Sequence, residues 1–292
     1  MSTYTTNTKP DSKFEDVPEE VLTDPTMRTA LGMDPIPGMN TPVDDNKQIS
    51  IFDYMQNKNN SSTSSSTTTT AAPEVTVFKN LVHPEFGELR TVEIDGEPWI
   101  IKFPAHVDGK DAGKMEYDYA VCAKACKITM SEFCLFPSSC CPGYFGTKRF
   151  DRKSDNQGTK RIHMLTAAAL LELDFRQPSL DYHSLMKLTK ILTQNNYSDI
   201  ENLFRRMCFN VYAHNRDDHS KNFSFLYDDT TDLWHLSPAY DLTFSSTYYG
   251  EHTTTVNGNG RNPGKKELVQ VGITAGIPRK TCINIAEEIE QI

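Results

Sequence analysis

His214-Asn215-Arg216-Asp217-Asp218-His219-Ser220-Lys221-Asn222 sets a carboxylate, Asp217, and an amide, Asn222, at the spacing D-x-x-x-x-N. That spacing suits phosphoryl transfer. The carboxylate can accept the proton of an attacking hydroxyl, while the amide at the far end of the same loop holds a metal against nucleotide phosphates. A second carboxylate, Asp241, follows in Leu236-Ser237-Pro238-Ala239-Tyr240-Asp241-Leu242, a place that suits a second metal ligand. Between them, Phe223-Ser224-Phe225-Leu226-Tyr227 and Leu233-Trp234-His235-Leu236 flank the polar Asp228 to Asp232, the pattern of a β-hairpin. Such a hairpin would return Asn222 and Asp241 to one cleft. Taken singly, each acid is one of 39 in the chain and reads equally well as a solvated loop charge. The joint pattern is what favours a site.

The run from Phe209-Asn210-Val211-Tyr212-Ala213 through the loop to Asn222-Phe223-Ser224, followed by Leu236 to Asp241, resembles the HipA family of serine/threonine kinases, the toxin halves of HipA/HipB modules. Upstream, Lys148-Arg149-Phe150-Asp151-Arg152 is similar to the family's hinge segment, and Arg161-Ile162-His163-Met164-Leu165-Thr166 to the stretch opening its helical lobe. Trp99-Ile100-Ile101-Lys102-Phe103-Pro104 looks like the strand bearing its nucleotide-binding lysine. The likeness covers the chain from Glu93 onward. It implies an α+β, protein-kinase-like two-lobed fold, with a small β-rich lobe and a larger helical lobe.

The resemblance also implies roles, and an ATP and Mg2+ requirement. Asp217 would be the catalytic base, Asn222 and Asp241 the magnesium ligands, and Lys102 a point charge on the α and β phosphates. An acid must hold Lys102, and Glu116 is the candidate, with Asp118 its rival. Lys148 and Phe150 would border the nucleotide with Arg149, Phe150 offering its ring to adenine. For the Phe150 side chain a core position is an equal alternative. His219, counted with the nucleotide site, reads as a brace, because Asp217 already serves the proton and hard magnesium prefers oxygen to imidazole. Lys221 would touch the transferred phosphate, or else stand as a solvated loop charge. The implied acceptor is a protein hydroxyl, with translation factors such as aminoacyl-tRNA synthetases as the family's targets. The implied partner is a DNA-binding antitoxin.

One family feature is missing. Members carry a Ser-x-x-Gly type loop over the phosphates, whereas Val82-His83-Pro84-Glu85-Phe86-Gly87-Glu88-Leu89-Arg90 has a single glycine and no serine. The alternative reading is therefore an inactive kinase-fold binding protein that docks a partner through its N-terminal extension. A second likeness, of residues 77–99 to the opening of BRO-type phage antirepressor domains, suggests a mobile-element setting. Apart from any family, Asp95-Gly96 between alternating apolar residues predicts a hairpin.

The expected organisation is a disordered extension and Ser/Thr-rich linker over 1–75, a nucleotide-binding lobe over 76–150, and a helical catalytic lobe over 151–292. Strands are expected at 76–82, 88–94, 98–103 and 144–150, around a helix from Ala112 to Lys127. Apolar spacing predicts helices over Ile162 to Leu173, Leu180 to Leu192 and Ile200 to Ala213, the last capped by Asp199, then two terminal helices from near Lys266 and from Arg279. Within the extension, Gln48-Ile49-Ser50-Ile51-Phe52 resembles a sliding-clamp docking peptide.

A net charge of −9 argues against direct nucleic-acid binding. Seven scattered cysteines without a signal peptide read as reduced thiols, and without a C-x-x-C pair zinc is disfavoured. No apolar run approaches a membrane span, so the expectation is a cytoplasmic protein.

Overall fold

The computed structural model describes residues 88–104, 108–155, 158–174, 177, 179–247 and 250–292. The chain divides between Ser66 and Thr67, and all of these residues belong to the second unit. The expected strand over 76–82, the stretch up to Gly87, the linker and the clamp-like peptide lie outside the described residues.

Strands β1 (Glu88–Ile94) and β2 (Glu97–Phe103) pair antiparallel, Ile94 opposite Glu97. Asp95 (φ 52°) and Gly96 (φ 77°) are both left-handed, as the two-residue turn predicted by Asp-Gly requires. Helix α1 (Ala112–Ala125) follows, then β3 (Phe133–Phe136) and β4 (Tyr144–Lys148), giving a sheet of order β1-β2-β4-β3. Alternation along β2 sends Trp99, Ile101 and Phe103 into a core with Ile94, Phe136 and Tyr144, and leaves Lys102 on the other face. Helix α1 lies against the sheet at Gly113, where an added Cβ would stand 2.4 Å from the Gly143 carbonyl oxygen. The expected strand over 144–150 stops at Lys148, and Arg149 bonds back to Pro98.

The second lobe is less purely helical than expected. A hairpin, β5 (Arg152–Asp155) and β6 (Gly158–Arg161), is followed by β7 (Met164–Thr166) and a single turn, α2 (Ala167–Leu170), where one helix from Ile162 to Leu173 was predicted. The reason is a partner: Met164, Leu165 and Thr166 pair with Leu226, Phe225 and Ser224 of β8 (Ser224–Asp228) and cover its edge. On its other side β8 pairs with β9 (Leu233–Leu236), the predicted hairpin.

Helices α3 (Tyr182–Leu192) and α4 (Tyr197–Tyr212) bury Leu185, Met186, Leu203, Phe204 and Met207 against one another and their neighbours. The cap of α4 is Asn196, whose side chain accepts from Ser198 N at 3.0 Å; Asp199 lies inside the first turn, 3.5 Å from His235. The chain closes with α5 (Lys265–Ala275) and α6 (Arg279–Glu290). Among the described residues all seven cysteines are free, no helix is long and apolar enough to cross a membrane, and no group of three or more His, Cys, Asp or Glu could hold a metal ion.

Candidate active site

Lys102 leaves β2 on the face away from the core, and its ammonium lies between two carboxylates, Glu116 Oε1 on α1 at 2.5 Å and Asp241 Oδ1 at 2.6 Å. Asp118 is engaged elsewhere, with Lys114. Burial alone would lower the Lys102 pKa, but Glu116 and Asp241 outweigh it and hold the side chain firmly protonated. Burial pushes the Glu116 carboxyl up, an effect that Lys102 opposes.

Asp241 itself has φ 57°, a left-handed conformation that Asp adopts more readily than most residues. Its turn is held on several sides. Ala239 N bonds Thr129 O of the small lobe, Ser237 N bonds Ser224 O, and Arg206, buried in α4, donates to Ser237 O. Tyr240 donates its hydroxyl to Lys221 O, which ties the turn to the loop carrying Asp217 and Asn222.

That loop begins where α4 ends. Asn215 N bonds Asn210 O, and His214 takes φ 54° to turn the chain. Asp217 is half-exposed, with His219 Nε2 at 3.9 Å. Burial raises the Asp217 pKa, His219 pulls it back, and repulsion from Asp241 and Asp218 adds to the rise. Asn222 closes a 3-10 turn (Ser220–Asn222) and donates Nδ2 to Asp217 O at 2.9 Å, so its carbonyl oxygen is the atom left for a cation.

The structure thus brings Lys102, Glu116, Asp241, Asp217, Asn222 and His219 together. Phe150 stands near them, its ring 5.6 Å from that of Tyr240. Lys221 is exposed beside Asn222. Lys148 is not part of the cluster's ion pairs; it is shared by Glu97 at 3.3 Å and Glu132 at 3.5 Å. Sequence reasoning missed Asp218. Unlike its neighbour it is 1% exposed and takes hydrogen bonds from Tyr182 and Thr254, with His252 against the same carboxylate. Two adjacent aspartates in a loop carry no pattern that tells the buried one from the exposed one. Arg206 was also missed, hidden in an otherwise apolar helical stripe.

A small antiparallel sheet with a lysine–glutamate pair, set against a second lobe that offers Asp217 and Asn222 from one loop and Asp241 from a neighbouring turn, defines a protein-kinase-like two-lobed fold. The HipA-like C-terminal domain family matches residues 71–292, and the chain belongs to that family. A protein of Sinorhizobium fredii named "Putative kinase Y4dM" is 29% identical over 148 residues, 48% of this chain. The match spans only about a third of that relative's length, 34%. The HipA of Shewanella oneidensis, solved with HipB and its operator DNA, has a similar fold, with TM-score 0.58 and 15% identity over 90% of this chain and 68% of that one. The Helicobacter pylori proinflammatory kinase CtkA aligns at TM-score 0.44 and 11% identity over 70% of this chain and 92% of its own.

Proposed function

We propose that this chain is a magnesium- and ATP-dependent protein kinase of the HipA type that phosphorylates a serine or threonine hydroxyl of a protein. The observation that carries this reading is Lys102 bridged to Glu116 and Asp241 across from Asp217 and Asn222. A binding scaffold has no physical need for that polar set, because holding Lys102 and Glu116 largely out of water costs free energy.

The donor set fits the nucleotide and its metal. Asp241 and Asn222 offer hard oxygens of the kind magnesium takes, and two protein ligands without a closed metal cage are what a cation shared with phosphates needs. Bound MgATP would supply the transferable phosphoryl group. Lys102 would then exchange its contact with Asp241 for phosphate while Glu116 keeps it in place. Asp217 orients the acceptor hydroxyl and takes its proton, and its raised pKa makes it a better base than an ordinary surface aspartate. His219 braces Asp217, Phe150 borders the base, and Lys221 faces the transferred group. Membership of the family, together with the fold shared with a HipA solved with HipB and DNA, supports a toxin whose partner is a DNA-binding antitoxin.

Calorimetric titration with ATP, with and without magnesium, tests the reading. Magnesium-dependent binding should appear, weakened at least ~10-fold in Asp241→Ala. No binding at millimolar ATP would overturn it and leave the family fold as a docking protein.

A further inference from the structure

The segment that follows Asp241 does not hang free of the loop that carries Asp217. Ser245 N bonds His214 O at 3.1 Å and Arg216 N bonds Ser245 O at 3.3 Å. Farther on, Thr253 gives both its amide (3.0 Å) and its hydroxyl (2.9 Å) to Arg216 O. The centre of this seam is Asp218. Its Oδ1 accepts from Thr254 N at 3.0 Å, its Oδ2 accepts from Tyr182 OH at 3.0 Å and lies 3.1 Å from His252 Nδ1, and its backbone oxygen accepts from Thr254 Oγ1.

The centre of this seam is dry. Thr254 is 0% exposed and His252 5%. Behind Tyr182 the network turns back into the loop: Asn210 Nδ2 donates to Tyr182 OH and Asn215 Nδ2 donates to Asn210 Oδ1, each at 3.0 Å. The chain of bonds therefore runs from the loop through α4 and α3 to Asp218 and out to the Glu251–Thr255 stretch. A buried carboxylate is tolerated only where its lone pairs are met, and here backbone and side-chain donors from two other parts of the chain converge on it.

We propose that Asp218 is a positioning residue, a fixed anion that locks the Glu251–Thr255 stretch onto the catalytic loop and so sets the surface beside Asp217 on which an acceptor protein lies. Switchable kinases order the equivalent stretch by adding a phosphate that arginine then binds. In this chain the anion is built in, and the hydroxyls of Thr253 and Thr254 are spent on the carbonyls of Arg216 and Asp218. The acceptor-side surface is thus preformed without modification of those threonines. The seam is independent of the kinase reading, but its consequence for transfer rests on that reading.

Hydrogen–deuterium exchange of the full chain, wild type beside Asp218→Asn and Thr254→Val, tests it. An asparagine keeps the volume but places an NH2 where one of three donors must bond. Peptides spanning Ser245 and Glu251–Thr255 should exchange at least ~10-fold faster in Asp218→Asn and about 3-fold faster in Thr254→Val, with α3 and α4 unchanged. MgATP affinity should stay within about twofold, while transfer of labelled phosphate to proteins of a bacterial extract falls at least ~10-fold. Faster exchange spread evenly over α3 and α4 in both variants would mean a general stabilising role and overturn the proposal, as would unchanged exchange. Local opening confined to the variants, beside a wild type that transfers no phosphate, would uphold the seam and count against the kinase reading alone.

Discussion

At Lys102 two carboxylates meet one ammonium, and their exposure separates their roles. The Glu116 side chain is 12% exposed and that of Asp241 is 42%. Glu116 is therefore the permanent partner and Asp241 the one that a nucleotide's phosphates and metal would draw away. Asp217 carries the opposite tension. Burial, with repulsion from Asp241 and Asp218, raises its pKa against the pull of His219, so the folded chain favours its protonated form. A raised folded-state pKa contributes stability below the unfolded value, near 3.9, that is lost as pH rises through the folded value. At neutral pH the ionised Asp217 thus costs stability. Asp217→Asn should raise Tm by about 1–3 °C at pH 7 while abolishing transfer, and the gain should vanish near pH 3. For the same reason the acid limb of the wild-type rate profile should fall at a pH above the range of an ordinary aspartate. That Asp217, Asn222 and Asp241 come together was legible from their pattern along the chain, and that Lys102 joins them from its likeness to the family's lysine strand. Asp218 was not, because its role depends on burial against Tyr182 and His252, which are distant along the chain.

Elements were legible where the local pattern and the tertiary partner agree. Asp95-Gly96 fixed one hairpin, and the apolar runs around Asp228 to Asp232 fixed another. The segment from Ile162 was misjudged because β8 offers an edge that a helical pattern does not anticipate. The hairpin of β5 and β6 has charged faces without alternation, and β3 is too short and too uniformly apolar to choose between helix and strand. Two elements should be sensitive to single changes. Gly113→Ala forces a methyl group against the Gly143 carbonyl and should lower stability by about 1–3 kcal/mol in urea unfolding. Arg206 lies in α4 with its pKa lowered to about 10 by burial, and it bonds Asn202 and Ser237 O at the entry to the Asp241 turn. Arg206→Ala leaves that carbonyl unmet and should cost about 2–4 kcal/mol. A cost below 0.5 kcal/mol would show that the turn is held without it.

At the scale of the molecule, the lobes are joined by more than the chain. Ala239 N bonds Thr129 O, Arg205 reaches Cys126 O, and Tyr119 donates to Ala213 O. These contacts set α1, which holds Glu116, at a fixed distance from the loop that holds Asp217. The fold class and family could be read from the sequence because the polar residues that resemble the family's motifs occur in a fixed order along the chain. The acceptor could not, because the surface beside Asp217 is made by the Glu251–Thr255 stretch, whose position depends on Asp218 rather than on local pattern. The most direct test of the whole account is transfer of labelled γ-phosphate from MgATP in a bacterial extract, comparing the intact chain with Asp217→Asn. Labelled protein bands that appear with the intact chain and disappear with the variant are the result expected. Equal labelling by both, or none by either while both are folded, would contradict the assignment of Asp217 as the base of a protein kinase.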